Sequence, residues 1–191
     1  RPQIASVSAL WPEPNASDYG FLTNGVHFVD LLRFMFGELK LVSRISLGRD
    51  KGFCALLKSL ENSTPITLNS TFGSSENAEV TIFFTDGRVL KIRPMETFSV
   101  FKGFEIQEPG GAHKSRRYFP STIEQFSEDD SSYKPGFKDQ AIEFAKFCSG
   151  ELNETEMTIP SLSDAIKTLE LAEKLAAIDT VSRHKNGALS G

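Results

Sequence analysis

The feature that most constrains the fold is a run of short strand-like segments between Leu39 and Phe119. Each segment is a short run whose apolar spacing is that of a strand rather than that of a helix. The segments are Leu41–Leu47, Phe53–Leu60, Ile66–Phe72, Val80–Thr85, Val89–Ile92 and Phe98–Ile106. They follow one another too closely for crossover helices, so the pattern predicts antiparallel pairing rather than the βαβ units of a parallel sheet.

The clearest hairpin lies between Val80 and Ile92, where Asp86-Gly87 separates two strand-like segments. This dipeptide suits the positive φ angles of a two-residue type I′ turn. The turn therefore predicts that the two neighbouring strands pair directly.

Three segments have helical periodicity. Gly25–Phe36 spaces its apolar residues by three and four and is followed by Gly37, a residue typical of a left-handed C-cap. Phe137–Cys148 and Leu162–Ala176 each carry one apolar stripe. With a first strand at Gln3–Leu10, the pattern predicts an α+β domain: an open, mostly antiparallel sheet of six or more strands with helices on one face.

The other face of the predicted sheet also carries apolar residues. Phe83, Val89 and Phe101 are in phase with the outward-facing set of their strands. A sheet face left without helices must be solvated or meet a partner. We therefore expect self-association of the chain through this face, giving a homo-oligomer.

Composition excludes several classes of partner. The 191-residue chain has a formal net charge of -4 at pH 7, which gives no electrostatic reason to bind nucleic acid. It has no apolar run long enough to span a bilayer. Cys54 and Cys148 stand in apolar surroundings far apart in sequence, which is typical of reduced core thiols in a cytoplasmic protein rather than of a disulfide.

His27 is the histidine best placed for chemistry, because it falls in the first turn of the predicted Gly25–Phe36 helix. The helix dipole disfavours a protonated imidazole there, so we expect a neutral ring that can exchange a proton near neutral pH. The alternative is a structural histidine held in the core by a backbone carbonyl or by Asp30. The spacing leaves both hypotheses open.

Asn24 is predicted as the N-cap of the same helix, with its side chain accepting from a backbone N–H of the first turn. A substrate-facing amide is the alternative. His27 and Asp30 have metal-ligand spacing, but no further ligand is apparent, because His113 and His184 fall in a loop and in the tail. The sequence therefore predicts no metal site.

The basic segment Pro109–Arg117, which contains His113, is predicted either as a solvated hairpin connection or as a loop that closes over an anionic ligand. Gly110-Gly111 lacks the strand-to-helix context of a phosphate cradle. No residue of this chain is therefore expected to bind NAD or NADP by itself.

Two segments resemble a known family. Gly20–Glu38 resembles a signature of the glucose-fructose oxidoreductase, inositol dehydrogenase and MocA (Gfo/Idh/MocA) family, in which a Gly-x-His-x-x-Asp-Leu-Leu helix ends in Gly-Glu after the first strand of the C-terminal domain. Ile159–Lys174 is similar to the last helix of that family. The two segments bracket the whole chain.

The resemblance implies a two-domain NAD(P)-dependent oxidoreductase. Residues 1–182 would be its C-terminal substrate-side and oligomerisation domain, and residues 183–191 a flexible tail. An N-terminal Rossmann domain, absent from this chain, would bind the cofactor and supply a lysine. The chain begins at Arg1 rather than at Met, which is expected of a domain of something longer and equally of a processed chain. By itself it is expected to be inactive.

The resemblance also implies a site. His27 would be the acid/base or a hydrogen-bond donor to substrate, and Thr23 and Asn24 would line the same pocket. The substrate would be a sugar, cyclitol or nucleotide sugar whose carbinol carbon exchanges hydride with nicotinamide. The sequence does not predict which sugar is used, the choice between NAD and NADP, or the direction of the reaction.

One departure from the family pattern leaves other functions open. Many members carry Asp four residues before the histidine, where this chain has Thr23. A hydroxyl cannot replace a carboxylate as an acid or base near neutral pH. Competing hypotheses are a non-catalytic binding or dimerisation module that uses the open sheet face, and a small-molecule carrier with an enclosed apolar pocket.

Overall fold

The computed structural model describes residues 3–13, 20–48, 51–110, 114–127, 136–153, 156–158 and 160–176. Within these ranges the chain forms eight strands, three α-helices and one π-helical turn at Phe21–Gly25. In chain order the strands are β1 (Ile4–Glu13), β2 (Leu39–Ser46), β3 (Gly52–Ser59), β4 (Pro65–Phe72), β5 (Glu79–Phe84), β6 (Arg88–Ile92), β7 (Thr97–Gln107) and β8 (Arg117–Ser127). The helices are α1 (Val26–Phe36), α2 (Phe137–Cys148) and α3 (Leu162–Ala176).

The strands form one open sheet in the order β2-β3-β4-β1-β5-β6-β7-β8. The pairs β2·β3, β3·β4, β5·β6, β6·β7 and β7·β8 are antiparallel. The predicted α+β class, with an open and mostly antiparallel sheet of six or more strands, is confirmed. No helix of the described ranges has the length and hydropathy needed to cross a membrane.

The chain divides into two compact units, which we name after their main elements. The α1 unit comprises Ala9–Asn77 and Asp164–Gly191, and the hairpin unit comprises Arg1–Ser8 and Ala78–Ser163.

The α1 unit has a well-filled apolar core. Its two central strands bury alternate residues, as a period of two requires, and its helices bury residues spaced by three and four. The large side chains in this core are Phe21, Phe28, Val29, Leu32, Phe36, Phe53, Leu57, Ile66, Leu68, Leu171 and Leu175. Full burial of each such side chain contributes about 1.5–3 kcal/mol, so this core is the main stabilising feature of the unit.

The hairpin unit is a meander from β5 to β8. In its register Phe83 pairs with Val89, and Val89 pairs with Phe101. Val80 and Ile82 of β5 are buried, but β7 has no fully buried residue. Burial in this unit therefore decreases along the meander.

The strand β8 was not predicted from the sequence. Pro120 interrupts its apolar pattern, and proline is normally excluded from central strands because it lacks an N–H. The structure accommodates Pro120 because β8 lies at the edge of the sheet, where a missing donor costs little. The predicted hairpin connection at Pro109–Arg117 therefore ends where β8 begins.

The β5–β6 hairpin is confirmed, but the predicted type I′ turn is wrong. The N–H of Gly87 donates to the carbonyl of Phe84 at 3.1 Å, and Gly87 has a φ of 81°. Asp86 does not have a positive φ; its carboxylate accepts from the backbone N–H of Arg88 at 3.1 Å and from that residue's Nε at 2.8 Å. The connection is a three-residue loop with glycine in the left-handed position.

The prediction that both cysteines are core thiols is wrong for Cys148, which is exposed at the end of α2; Cys54 is half-buried, and both are free. The apolar stripe of α2 is exposed along with it, including Phe137 and Phe144. Helical periodicity predicted the helix correctly, but it does not determine what covers the stripe.

Candidate functional site

The candidate site is built on the π-helical turn, which continues directly into α1. A Cβ atom at Gly25 would lie only 2.3 Å from the ring of Phe21, so glycine allows the ring to pack against the turn. That ring lies edge-on to Phe53 of β3, with 5.0 Å between the ring centroids, and both residues are fully buried. The turn is therefore anchored in the core. π-helical turns inside helices are frequent at functional sites.

The prediction that Asn24 is the N-cap is wrong. Gly20 already has helical angles, φ -58° and ψ -40°, so the helical segment begins before Asn24 and the first-turn N–H groups lie further back. The residue before α1 is Gly25, and it makes no side-chain cap. The side-chain amide of Asn24 instead donates through Nδ2 to Oε1 of Glu13 at 3.2 Å.

Glu13 is a residue of this region that the sequence reasoning missed. It is fully buried at the end of β1, and its Oε2 accepts from the indole Nε1–H of Trp11 at 3.1 Å. These bonds are needed, because a buried carboxylate without partners costs several kcal/mol. The run Trp11-Pro12-Glu13-Pro14 places a carboxylate where a strand ends, but no sequence pattern links it to Asn24.

Thr23 and His27 lie on the exposed side of the same helical segment. The hydroxyl of Thr23 donates to the carbonyl of Gly20 at 2.9 Å. Within the part of the chain that the structure describes, His27 makes no side-chain hydrogen bond or ion pair, and Asp30 accepts from Thr168 at 2.7 Å instead. The alternative of a histidine held in the core by Asp30 is therefore wrong. An exposed imidazole of this kind can exchange a proton with a bound hydroxyl.

The far end of α1 is held by a polar network around Arg33. This side chain is buried, and Nη1 donates to the Asp164 carbonyl at 2.7 Å and to Thr168 Oγ1 at 2.6 Å, while Nη2 donates to Glu38 at 2.8 Å. Lys167 also donates to Glu38, at 2.9 Å. The bond from Lys167, with that from Arg33, holds the pKa of Glu38 below its usual value despite partial desolvation. The network fixes α1 against α3.

The remaining candidate residues lie outside the part of the chain that the structure describes. His113 and His184 lie outside the described residues, as does the tail 183–191. In the ranges that are described, no group of three or more His, Cys, Asp or Glu side chains is arranged to hold a metal ion.

The hairpin unit carries a separate open groove of about 560 Å³. Its apolar wall includes the cross-strand row Phe83, Val89 and Phe101. Burial acts to raise the pKa of Glu79 in this groove, but hydrogen bonds from Thr81 and Lys91 outweigh it and hold the pKa below its usual value. The groove therefore combines an apolar wall with an ionised carboxylate at its edge.

No protein-family model and no curated protein matches the chain. Solved structures do match. A super-repressor mutant of Gal80p from Saccharomyces cerevisiae has a TM-score of 0.64 and 12% identity over 91% of this chain and 55% of its own. A dehydrogenase (MviM) from Clostridium difficile has a TM-score of 0.61 and 15% identity over 90% of this chain and 54% of its own.

A third similar structure is a mutant of KijD10, a 3-ketoreductase from Actinomadura kijaniata, in complex with TDP-benzene and NADP. Its TM-score is 0.55, with 15% identity over 91% of this chain and 51% of its own. At such low identity these likenesses show the fold alone. The structural neighbours are of the Gfo/Idh/MocA type, so the resemblance found in the sequence is confirmed at the level of the fold. The chain spans about half the length of these proteins.

Proposed function

We propose that the chain is the substrate-side domain of an NAD(P)-dependent oxidoreductase. The observation that carries the proposal is the exposed imidazole of His27 on α1, in a fold shared with a 3-ketoreductase that was solved with NADP. The substrate class is a sugar, cyclitol or nucleotide sugar that presents a carbinol or keto group.

His27 is the proposed acid/base of the reaction. In oxidation, the carbinol O–H proton passes to the imidazole as the C–H hydride leaves and the C=O bond forms. In reduction the imidazole returns the proton to the carbonyl oxygen. The Thr23 hydroxyl is proposed as a hydrogen-bond partner for a neighbouring substrate hydroxyl, and Asn24 lines the same pocket.

The nicotinamide cofactor supplies the hydride acceptor or donor. The glycine-containing segment at Gly110 follows β7 and precedes β8, which pair antiparallel, so it does not fit the strand-to-helix turn that a pyrophosphate requires. We propose that the cofactor is held by a Rossmann domain of a longer protein, and that residues 1–182 supply the wall facing the substrate.

The open sheet face is proposed as the surface of a homo-oligomer. Phe83, Val89 and Phe101 form a continuous apolar row on neighbouring strands, and Phe83 is exposed. Contiguous exposed apolar surface of this kind is typical of an interface. Replacing Val89 with Lys is expected to shift the chain toward monomer in light scattering, whereas the same change at exposed Val42 of β2 is the control.

A non-catalytic binding module is the second candidate. Two observations favour it: Thr23 supplies a hydroxyl where an acid/base pair with His27 needs a carboxylate, and the fold is shared with the transcriptional regulator Gal80p from Kluyveromyces lactis, at a TM-score of 0.61 and 12% identity. Such a module would bind a sugar-like ligand or a partner without turning it over.

Titration with NADH and NADPH tests the proposal that the cofactor binds to another domain and not to this chain. The full-length gene product that contains this chain is expected to enhance nicotinamide fluorescence with one of the two cofactors, and the 191-residue chain with neither. Tight binding by the 191-residue chain would overturn the assignment of the cofactor to another domain. Binding of neither cofactor by the full-length product would overturn the oxidoreductase proposal.

A further inference from the structure

A buried carboxylate lies behind the exposed side chains of the proposed site. Glu13 is 0% exposed, and its two oxygens accept from two different donors, Trp11 Nε1–H at 3.1 Å and Asn24 Nδ2–H at 3.2 Å. Each carboxylate oxygen therefore has a donor of its own. A side chain without polar atoms at these two positions cannot hold both donors.

The two donors hold the helical segment at two points. Asn24 lies within the π-helical turn, and the ring of Trp11 packs on Phe28 of α1 with 5.3 Å between the centroids. Asn24 and Phe28 are four residues apart, so they face the same side of the segment. Thr23 and His27 each precede one of these two residues and lie on the exposed side.

Other contacts fix the segment towards its two ends. Phe21, the first residue of the π-helical turn, packs against Gly25 and Phe53, and Arg33 holds the far end of α1. The bonds of Glu13 fall between these anchors. A change at Glu13 is therefore expected to rotate or loosen the part of the segment that carries His27.

We propose that Glu13 is a positioning residue, which sets the direction of Thr23 and His27 by holding Asn24 and, through Trp11, Phe28. The proposal rests on the proposed function for its effect on turnover. The effect of Glu13 on the position of the His27 ring does not depend on any reaction, so it can be measured without turnover.

The test replaces the carboxylate by an apolar side chain of similar length, Glu13→Met, which accepts from neither donor, so both bonds are lost. The second variant, Glu13→Gln, keeps both contacts: its oxygen accepts from Trp11 Nε1–H, and its amide nitrogen donates to Oδ1 of Asn24 once that side-chain amide turns over. Comparison of the two variants separates the loss of the hydrogen bonds from the loss of the charge.

Ser59→Ala is the matched control. Ser59 is also fully buried in the α1 unit, and its hydroxyl donates to the carbonyl of Phe36 at 2.7 Å, at the opposite end of α1. Ser59→Ala therefore removes a buried hydrogen bond to the same helix, together with the longer bonds that the hydroxyl accepts from the N–H groups of Glu61 and Asn62, without touching the turn. Each variant is examined by proton NMR of the His27 ring in the 191-residue chain and by turnover of the full-length product.

We expect Glu13→Met to shift the His27 ring resonances and to lower kcat by about 10- to 100-fold, the range for misplaced catalytic groups, with the affinity for NADPH unchanged. Glu13→Gln keeps the resonances close to their wild-type positions, and Ser59→Ala does not move them. Unchanged His27 resonances in Glu13→Met, or equal shifts in Ser59→Ala, would overturn the proposal. An inactive wild-type full-length product would remove the proposed function, while the resonances would still decide the positioning role.

Discussion

Strands β3 and β4 differ from β7 and β8 in how far their apolar side chains are buried. Phe53, Leu57, Ile66 and Leu68 of the first pair are all fully buried. Phe104 in β7 is 67% exposed, although its strand has the same kind of pattern. Alternation determines that a strand forms and which side chains share a face, but burial requires a second element over that face.

This difference in burial also corresponds to the two proposed roles, a substrate site at His27 and a surface for self-association. The buried pair supports the α1 unit, where Phe53 anchors the turn that carries His27. The exposed pair belongs to the hairpin unit, whose apolar groove is the proposed surface for self-association. Rigid packing suits the first role and accessible apolar surface suits the second.

The largest expected contrast comes from one substitution made in both regions. Phe53→Ala is expected to lower the free energy of unfolding by about 3–5 kcal/mol, because it leaves a cavity in a closed core. Phe104→Ala is expected to change it by less than about 0.5 kcal/mol. Urea denaturation at a concentration where the chain is monomeric measures both, and equal losses would break the comparison.

Glycine substitutions test how tightly each region is packed at its turns. Gly52 and Gly87 both have positive φ, but a Cβ at Gly52 would lie 1.9 Å from the backbone oxygen of Ser70, whereas a Cβ at Gly87 meets nothing within 4 Å. Gly52→Ala is therefore expected to cost about 2–3 kcal/mol, from strain and displaced backbone. Gly87→Ala is expected to cost about 1 kcal/mol. A larger loss for Gly87→Ala in thermal unfolding would contradict the packing described.

Substitution of one arginine in each unit extends the comparison to charged groups. Arg33→Met is expected to cost about 2 kcal/mol, because it leaves Thr168 and Glu38 without a buried donor. Arg88→Met removes the solvent-facing pair with Asp86 and the cation–π contact with the Phe84 ring, and it is expected to cost less than about 1 kcal/mol. Chemical denaturation of both variants at low salt ranks them, and the reverse order would show that the Arg33 network adds nothing.

The smallest effect is a dependence of stability on pH. The pKa values of Glu38 and Glu79 are both lowered on folding, so each contributes stability that is present above the unfolded value of about 4.5 and lost as the pH falls through the folded value. Because Glu38 is nearly half exposed, its share is at most about 1 kcal/mol. Glu38→Gln and Glu79→Gln are expected to flatten the stability curve between neutral pH and pH 3. If stability depends on pH in these variants as it does in the wild type, the lowered pKa values of Glu38 and Glu79 are contradicted.

Most of the fold could be predicted from the sequence, because alternation, helical spacing and the Asp86-Gly87 turn are local signals. The predicted strands at Phe53–Leu60 and Ile66–Phe72 differ from β3 and β4 by at most one residue at each end. The strand β8 was not predicted because Pro120 interrupts the apolar pattern of this edge strand. The turn type was missed because the side-chain bonds of Asp86 to Arg88 favour a longer loop.

The site was predictable only in part. Glycine and the apolar spacing predicted the helix, but they left open whether His27 is a site residue or a core histidine. A polar residue before a predicted helix also suggests an N-cap whether or not the helix starts there. Asn24 instead bonds to Glu13, eleven residues earlier. Contacts of this kind depend on how a strand end meets a helix, and no local pattern records them.

Turnover by the full-length gene product tests the central claim, that the exposed imidazole of His27 is the acid/base of a nicotinamide-dependent reaction. NADPH or NADH oxidation is followed with a panel of keto-sugars for the wild type, His27→Asn and Lys40→Gln, an exposed residue of β2. The account predicts that kcat falls about 100-fold or more for His27→Asn and stays unchanged for Lys40→Gln. A kcat in the His27→Asn variant equal to that of the wild type would contradict the account.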